Sequence, residues 1–304
     1  MAGTGKPIHC RAAIARSPGE PLVIEEVTVA APKPREVRIK IICASVCPVD
    51  VTFWESKHPS AIFPIILGHE AMGEYTVVDI AHVTKIDPQT PPDRACLFTC
   101  GVAAGVGAAV KRAKVEAGTS VAIFGLGVIG LAVAEGARLC GATRIIGVDM
   151  NPDKYEIGKK FGVTDFVNSS SCVDKPVSQV IIEMTGGGAD YCFECVGSTS
   201  LVHEAYASCR KAWGKTVVLG VDQAGAMLTF NSYDVLDNGR TLMGGLFGGL
   251  KPKSDIPILI KRYMAKELKL DEFITHEVDF KDINKAFDLL LEGKSLQCVI
   301  WMNK

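Results

Sequence analysis

The sequence predicts an α/β chain: a doubly wound parallel sheet joined to a second, β-rich domain. Three observations predict it. Between residues 120 and 148 an apolar strand passes through a glycine-rich turn into a helix of small residues and out to a second strand. From about Cys100 onward strand-like and helix-like segments alternate, the order that lays strands parallel with helices on both faces. Ahead of Cys100, residues 22–43 alternate apolar and polar, with Pro32 and Pro34 breaking the pattern as turns between short strands do.

Taken in order, residues 61–67 and 74–80 also fit short strands, so the first third reads as an irregular β domain. Residues 103–113 are rich in alanine and glycine and compatible with a helix. A strand (120–124), a glycine turn, a helix (128–140) and a strand (144–148) follow. Further alternation brings a helix at 153–161, strands at 191–194 and 216–219, and a helix at 201–211. The tail ends in a helix at 282–291, capped by Gly293, and a strand at 298–302. The expected domains are 1–101 with 246–304 for the β-rich part, and 102–245 for the doubly wound part.

At 304 residues the chain is long enough for two cores. Its net charge of -1 gives no electrostatic case for a nucleic-acid or anionic-membrane partner. The start, MAGTGKPIHCRAA, has no apolar signal core, and no uninterrupted apolar run is long enough to span a bilayer. A soluble, cytoplasmic protein acting on small molecules is expected. With 11 cysteines and no signal peptide, burial or metal ligation is expected rather than disulfides.

The segment VAIFGLGVIG has the pattern of a dinucleotide-binding turn. Gly125 allows the tight turn, Gly127 lets backbone approach a pyrophosphate, and Gly130 lets the helix pack closely. Leu126, Val128 and Ile129 complete the turn, and the helix N-terminus faces the phosphates with its partial positive charge. Asp149 ends the next strand, where a carboxylate accepts ribose hydroxyls and repels a 2′-phosphate, which favours NAD over NADP.

Three residues carry a second signal. Cys47 follows an apolar strand in IICASVC, His69 lies in LGHEAMG, and Cys100 opens CGVAAG at the junction with the doubly wound domain. Two thiolates and one imidazole are a three-ligand zinc set with its fourth position open, the arrangement of a Lewis-acid catalyst. Such a metal would meet a hydride carrier in the interdomain cleft. Cys192 and Cys195 spell CxxC, but in a strand they point to opposite faces, so no structural metal or redox role is expected of them.

Over its whole length the chain resembles the zinc-containing medium-chain alcohol dehydrogenases, in the plant alcohol dehydrogenase-like branch near the class III, glutathione-dependent formaldehyde enzymes. The resemblance is carried by GHEAMG, EYTVVDIAH, GLGVIGLAVAEGARLCGA, IIGVDMNPDK, FECVG, LFGGLKPK and CVIWMNK. It implies a GroES-like fold for the β-rich domain and makes Cys47, His69 and Cys100 ligands of one catalytic zinc, with Glu70 a transient ligand or the group behind them. It makes Asp149 and Lys154 the adenosine-ribose contacts and places Val196, Val221 and Phe247 against NAD. It also implies a homodimer through the dinucleotide domain, with residues 240–245 supplying the edge.

Against that family the chain departs at four places. Pro48 and Val49 follow the first zinc cysteine where relatives carry a cation and a hydroxyl that relays the alcohol proton. Gln297 stands where relatives have an arginine for the pyrophosphate, and Ala104 replaces a threonine near the nicotinamide. Gly73 runs straight into Glu74, where relatives place several dozen residues that include the four-cysteine lobe of a structural zinc. No structural zinc is therefore expected, and strand edges and core surface should be left open near the join.

The leading expectation is a zinc-dependent oxidoreductase that transfers a hydride between NAD and an alcohol or aldehyde, its turnover weakened by the lost relay. Val49 motivates a second reading, a reductase of an activated electrophile that needs no hydroxyl proton. A third is an inactive, shortened paralogue that pairs with intact relatives.

Overall fold

The computed structural model describes residues 5–68 and 72–303. In chain order the elements are β1 (Ile8–Ala15), β2 (Val23–Val29), β3 (Glu36–Lys40), β4 (Cys43–Ser45), α1 (Pro48–Trp54), β5 (Ile65–Ile66), β6 (Tyr75–Asp79) and α2 (Pro92–Ala95). Next come α3 (Gly101–Gly107), β7 (Ser120–Phe124), α4 (Val128–Leu139), β8 (Arg144–Asp149), α5 (Lys154–Lys160), β9 (Asp165–Asn168) and α6 (Val177–Thr185). The chain continues with β10 (Tyr191–Glu194), α7 (Thr199–Ser208), β11 (Lys215–Val218), α8 (Ser232–Asn238) and β12 (Thr241–Gly244). It closes with α9 (Pro252–Met264), β13 (Ile274–Asp279), α10 (Ile283–Leu291) and β14 (Gln297–Trp301). No single helix among the described residues is long and apolar enough to cross a membrane.

The chain divides into two compact units. The first comprises Met1–Thr99, Pro252–Lys261 and Leu270–Lys304. It holds three small sheets, in the orders β2-β1-β5, β3-β6 and β13-β14-β4. Strand β1 pairs antiparallel with β2 from Ile8 opposite Val29 to Ile14 opposite Val23. Its core joins Leu22, Val46, Leu67 and Met72 to Phe280, Ile283, Phe287 and Ile300. Helix α10 reaches that core because Ile283, Ala286 and Phe287 fall on one stripe at helical spacing. The Asn284 amide secures its start by bonding both the N–H and the C=O of Leu22, at 2.8 and 2.9 Å.

Gly73 and Glu74 are stitched onto β1. Met72 accepts the Ala13 N–H at 2.9 Å, Glu74 donates its own N–H to Arg11 at 3.0 Å, and the Glu74 carbonyl accepts the Ile41 N–H at 2.9 Å. A cavity of about 380 Å³ opens beside this stretch, lined by Ala12, Val27, Val29, Leu67, Met72 and Val77.

The second unit comprises Cys100–Lys251 and Arg262–Lys269. Its six strands run in the order β12-β11-β10-β7-β8-β9, every pairing parallel. The chain builds outward from β7 through β8 and β9, then returns to the other side of β7 for β10, β11 and β12. That reversal between β7 and β10 is the topological switch point of a doubly wound sheet. Val121, Ala122, Ile123 and Phe124 are fully buried, as a central parallel strand covered on both faces requires. Helices α3 and α4 pack at small residues: a Cβ on Gly105 would lie 2.5 Å from the Ile129 carbonyl oxygen.

Leu246–Lys251 and Arg262–Lys269 pack within this unit, whereas the sequence assigns everything from 246 onward to the β-rich domain. The reason is local. Gly248 sits so close to α3 that a Cβ would lie 2.2 Å from the Ala104 carbonyl, and the Lys269 N–H bonds the buried Glu135 carboxylate at 2.8 Å. Two local expectations also change. The strand expected at 61–67 is reduced to Ile65–Ile66, and the helix expected over 103–113 is α-helical only through Gly107, continuing as a wider turn to Ala113.

Candidate active site

The clearest site lies at the carboxyl ends of β7 and β8, inside the second unit. β7 ends at Phe124, and Gly125 takes a φ of 91°, which turns the chain sharply enough to start α4 at Val128. The turn is pinned from the neighbouring strand. Gly125 N–H donates to the Val148 carbonyl at 2.8 Å, and Leu126 N–H donates to Asp149 Oδ2 at 2.8 Å. Asp149 Oδ1 accepts the Asn151 N–H at 2.9 Å, which fixes the carboxylate at the strand end. A Cβ built on Gly127 meets nothing within 4 Å, so the turn leaves a concavity bounded by backbone at the N-terminus of the twelve-residue α4. Space, exposed helix N–H groups and a carboxylate one strand away together fit a dinucleotide: pyrophosphate on the helix, ribose on the acid. Lys154 opens α5, two residues beyond Pro152, and is half-buried.

Across the switch point, Val196 and Val221 follow β10 and β11, 54% and 75% exposed. Phe247 takes a φ of 46° just after β12. All three therefore sit at the same strand ends as the glycine turn. Glu194, which the sequence reading passed over, closes β10 with a fully buried side chain. Its Oε1 accepts the Val196 and Gly197 N–H groups at 2.8 and 2.7 Å. Burial pushes its carboxyl above the ordinary glutamate range, against the N–H groups of Gly197, Val196, Ser198 and Gly220, which pull it down. The signal was available: an acid ends an otherwise apolar strand in YCFECVG.

The predicted zinc ligands fall in both units. Cys47 is buried at the start of α1, where its Sγ accepts the Val49 N–H at 3.3 Å and its own N–H donates to Asp50 Oδ2 at 2.9 Å. A backbone donor aimed at sulfur suits a thiolate that holds a metal. Pro48 fits the first helical position, which needs no N–H donor. Cys100 is half-buried at the start of α3. His69 and Glu70 lie outside the described residues, and among the described residues no three His, Cys, Asp or Glu side chains gather as a metal cluster. The donor chemistry of two thiols and an imidazole fits zinc. Trp54 and Phe98 belong to the first unit: Trp54 packs edge-on against Phe287 and donates to the Glu20 carbonyl, and Phe98 is 2% exposed. Gln297 is buried, with no hydrogen-bond partner at Oε1.

Residues 33–87 match the alcohol dehydrogenase GroES-like domain, and residues 128–265 match the zinc-binding dehydrogenase family. The protein named alcohol dehydrogenase-like 7 from Arabidopsis thaliana is 52% identical over 375 aligned positions, covering 98% of this chain and 96% of that protein. The chain belongs to the zinc-binding medium-chain alcohol dehydrogenase family.

Within that family it is also similar to alcohol dehydrogenase class-3 of Oryza sativa subsp. japonica, 39% identical with 99% of this chain and 98% of that one covered. The span matched in the Arabidopsis protein is longer than the 304 residues here, so that relative carries residues inside it that this chain lacks. The fold is that of a benzyl alcohol dehydrogenase from Acinetobacter calcoaceticus, with a TM-score of 0.88 at 21% identity, covering 97% of this chain and all of that one.

Proposed function

We propose that this member of the zinc alcohol dehydrogenase family transfers a hydride between NAD and a small alcohol or aldehyde. The observation that carries the cofactor assignment is the Gly125–Gly130 turn at the switch point, tied by Leu126 to Asp149. Asp149, with both oxygens already oriented by backbone N–H groups, presents its remaining lone pairs to the adenosine ribose, with Lys154 alongside. Leu126 through Gly130 hold the pyrophosphate at the helix N-terminus. Val196, Val221 and Phe247 line NAD from across the switch point, Val196 beside Gly125 itself. Cys47, His69 and Cys100, backed by Glu70, hold one catalytic zinc, and no structural zinc is bound. Bound zinc supplies a Lewis acid for the substrate oxygen.

The chain works in the cytoplasm as a homodimer. Among the described residues β12 pairs with one strand alone, leaving its other side open. The flanking segments expose Tyr233, Leu236 and Leu246 by 72%, 80% and 94%. An open strand edge beside exposed apolar side chains is a pairing surface for a second copy.

Zinc analysis, NADH titration and an alcohol and aldehyde panel run in both directions test this reading on the purified chain. The expected result is about one zinc per chain, saturable NADH binding and turnover that Cys47→Ser and Cys100→Ser abolish while NADH binding persists. A chain that binds no NADH overturns the assignment. Sedimentation at two concentrations checks the dimer.

A further inference from the structure

We infer that the hydrogen bond from Thr199 to Asp222 is a latch that positions the segment after β11 at the rim of the cofactor site, with both as positioning residues; this rests on the NAD reading above. That segment, residues 219–231, holds no helix or strand and leaves Val221 through Thr229 exposed. At one end Asp222 Oδ2 accepts the Thr199 hydroxyl at 2.6 Å, and Oδ1 accepts the Gln223 N–H at 2.7 Å. At the other end Phe230 packs on two residues of α7, its ring 4.8 Å from that of His203 and 4.9 Å from that of Tyr206. The stretch 222–230 is therefore a strap, fastened to α7 at both ends.

The latch sits where the strap meets the cofactor site. Val221, which lines NAD in the proposed site, immediately precedes Asp222. A Cβ on Gly197 would lie 2.3 Å from the Val221 carbonyl oxygen, and Val196 Cγ2 lies 2.5 Å from where a Gly125 Cβ would be. The glycine turn and the segments after β10 and β11 thus form one packed rim. Thr199 belongs to the segment after β10, as the first residue of α7. Its bond to Asp222 is a side-chain tie between the two segments, so the rim shifts as a whole or not at all.

The local sequence leaves the start of α7 to Asp222. Ser198, the N-cap residue, makes no capping bond with its side chain, and its hydroxyl pairs instead with that of Ser200 at 2.8 Å. The Asp222 carboxylate takes both the hydroxyl and the N–H of Thr199, a donor that the first turn leaves free. The Thr199 hydroxyl contributes most to holding the Asp222 carboxyl below the ordinary aspartate range. A bond this exposed adds little to the stability of the whole unit, so its effect is local. With the latch broken, the strap has to be ordered when NAD binds, and affinity falls by that cost.

Hydrogen exchange of residues 221–230 and calorimetric titration of NADH, on wild type, Thr199→Val and Thr199→Ser, test the inference. Thr199→Val should exchange the strap about tenfold faster and bind NADH about fivefold more weakly. Thr199→Ser, which keeps the hydroxyl donor, should return both readings to within about twofold of wild type. A strap that exchanges at the wild-type rate in Thr199→Val overturns the latch. A faster strap with unchanged NADH affinity overturns the positioning role and leaves the bond to α7 alone. Wild type that binds no NADH overturns the cofactor reading, and this inference with it, while the exchange rates still tell whether the strap is held. Should Thr199→Val fail to fold, Asp222→Ala must show both effects or the inference falls.

Discussion

A Cβ placed on Gly130 would lie 1.8 Å from the carbonyl oxygen of Gly125. The first turn of α4 is thus pressed against the turn that launches it, and no side chain larger than hydrogen fits there without backbone movement. Gly127, two residues after Gly125, is the opposite case, with nothing within 4 Å of its would-be Cβ. The pair predicts a dissociation between stability and binding. Gly130→Ala should lower both, with a stability loss of about 1–3 kcal/mol from overpacking and weaker NADH binding. Gly127→Ala should leave the melting temperature near wild type and weaken NADH at least as much, because the added methyl projects into the space the pyrophosphate takes. Thermal melts beside NADH titrations check this. A Gly127→Ala protein with unchanged NADH affinity would place the phosphates elsewhere.

Asp149 holds two loops at once, Leu126 through Oδ2 and Asn151 through Oδ1. Its removal should cost affinity for either cofactor by loosening the turn, and should also remove the charge that opposes a 2′-phosphate. Asp149→Ser is therefore expected to lower kcat/KM with NAD by about tenfold or more while NADP loses less, so the preference for NAD narrows. Steady-state kinetics with both cofactors decide it. An unchanged ratio would mean that Asp149 serves the turn and not the ribose.

Glu135 is fully buried in the middle of α4, an unusual place for a carboxylate. It accepts Arg138 Nε and Nη2 at 2.7 Å each and the Lys269 N–H at 2.8 Å. The charge is thereby paired, and it anchors the returning stretch Arg262–Lys269 to the second unit. Glu135 in turn raises the Arg138 pKa, chiefly through the side-chain hydrogen bond. Glu135→Ala should strand the Lys269 N–H and leave a cavity, costing about 3 kcal/mol. Urea unfolding measures it, and hydrogen exchange should show the loss of protection concentrated at residues 262–269.

Much of the second unit was legible because its strands are short apolar runs separated by glycine turns, and because a parallel doubly wound sheet places the ligand at its switch point by rule. Gly125 and Asp149 follow from the glycine turn and the acid that ends the next strand. The elements that escaped have physical reasons. Strand β1, IHCRAAIA, ends in three alanines among its last four residues and lacks the β-branched density that marks a strand. Helix α6, VSQVIIEMT, is rich in β-branched residues, and tertiary packing overrides its propensity. Glu194 shows in the sequence as an acid ending an apolar strand, but its partners are the backbone N–H groups of Val196 and Gly197, which no side-chain pattern marks. The same holds for Glu74, whose partner lies 63 positions away.

Glu74 gives the chain a pH-sensitive clasp at the start of β6. Its Oε2 accepts the Arg11 backbone N–H at 2.8 Å, and its Oε1 accepts Arg11 Nε and Nη2 at 3.0 and 2.7 Å. Burial raises the carboxyl pKa, but the backbone and side-chain hydrogen bonds from Arg11, with the charges of Arg11 and Lys40, outweigh it and leave the value lowered. A carboxyl held lower in the folded state than its unfolded value of about 4.3 stabilises fully above that pH. The stabilisation disappears as pH falls through the folded value. Arg11 is 53% exposed, so solvent screening limits the effect to about 1 kcal/mol. Glu74→Gln should thus be less stable than wild type at pH 7 and indistinguishable from it at strongly acid pH, in urea unfolding of the two proteins side by side. A difference that stays constant across the acid range would show that shape, not charge, closes the chain at Gly73 and Glu74.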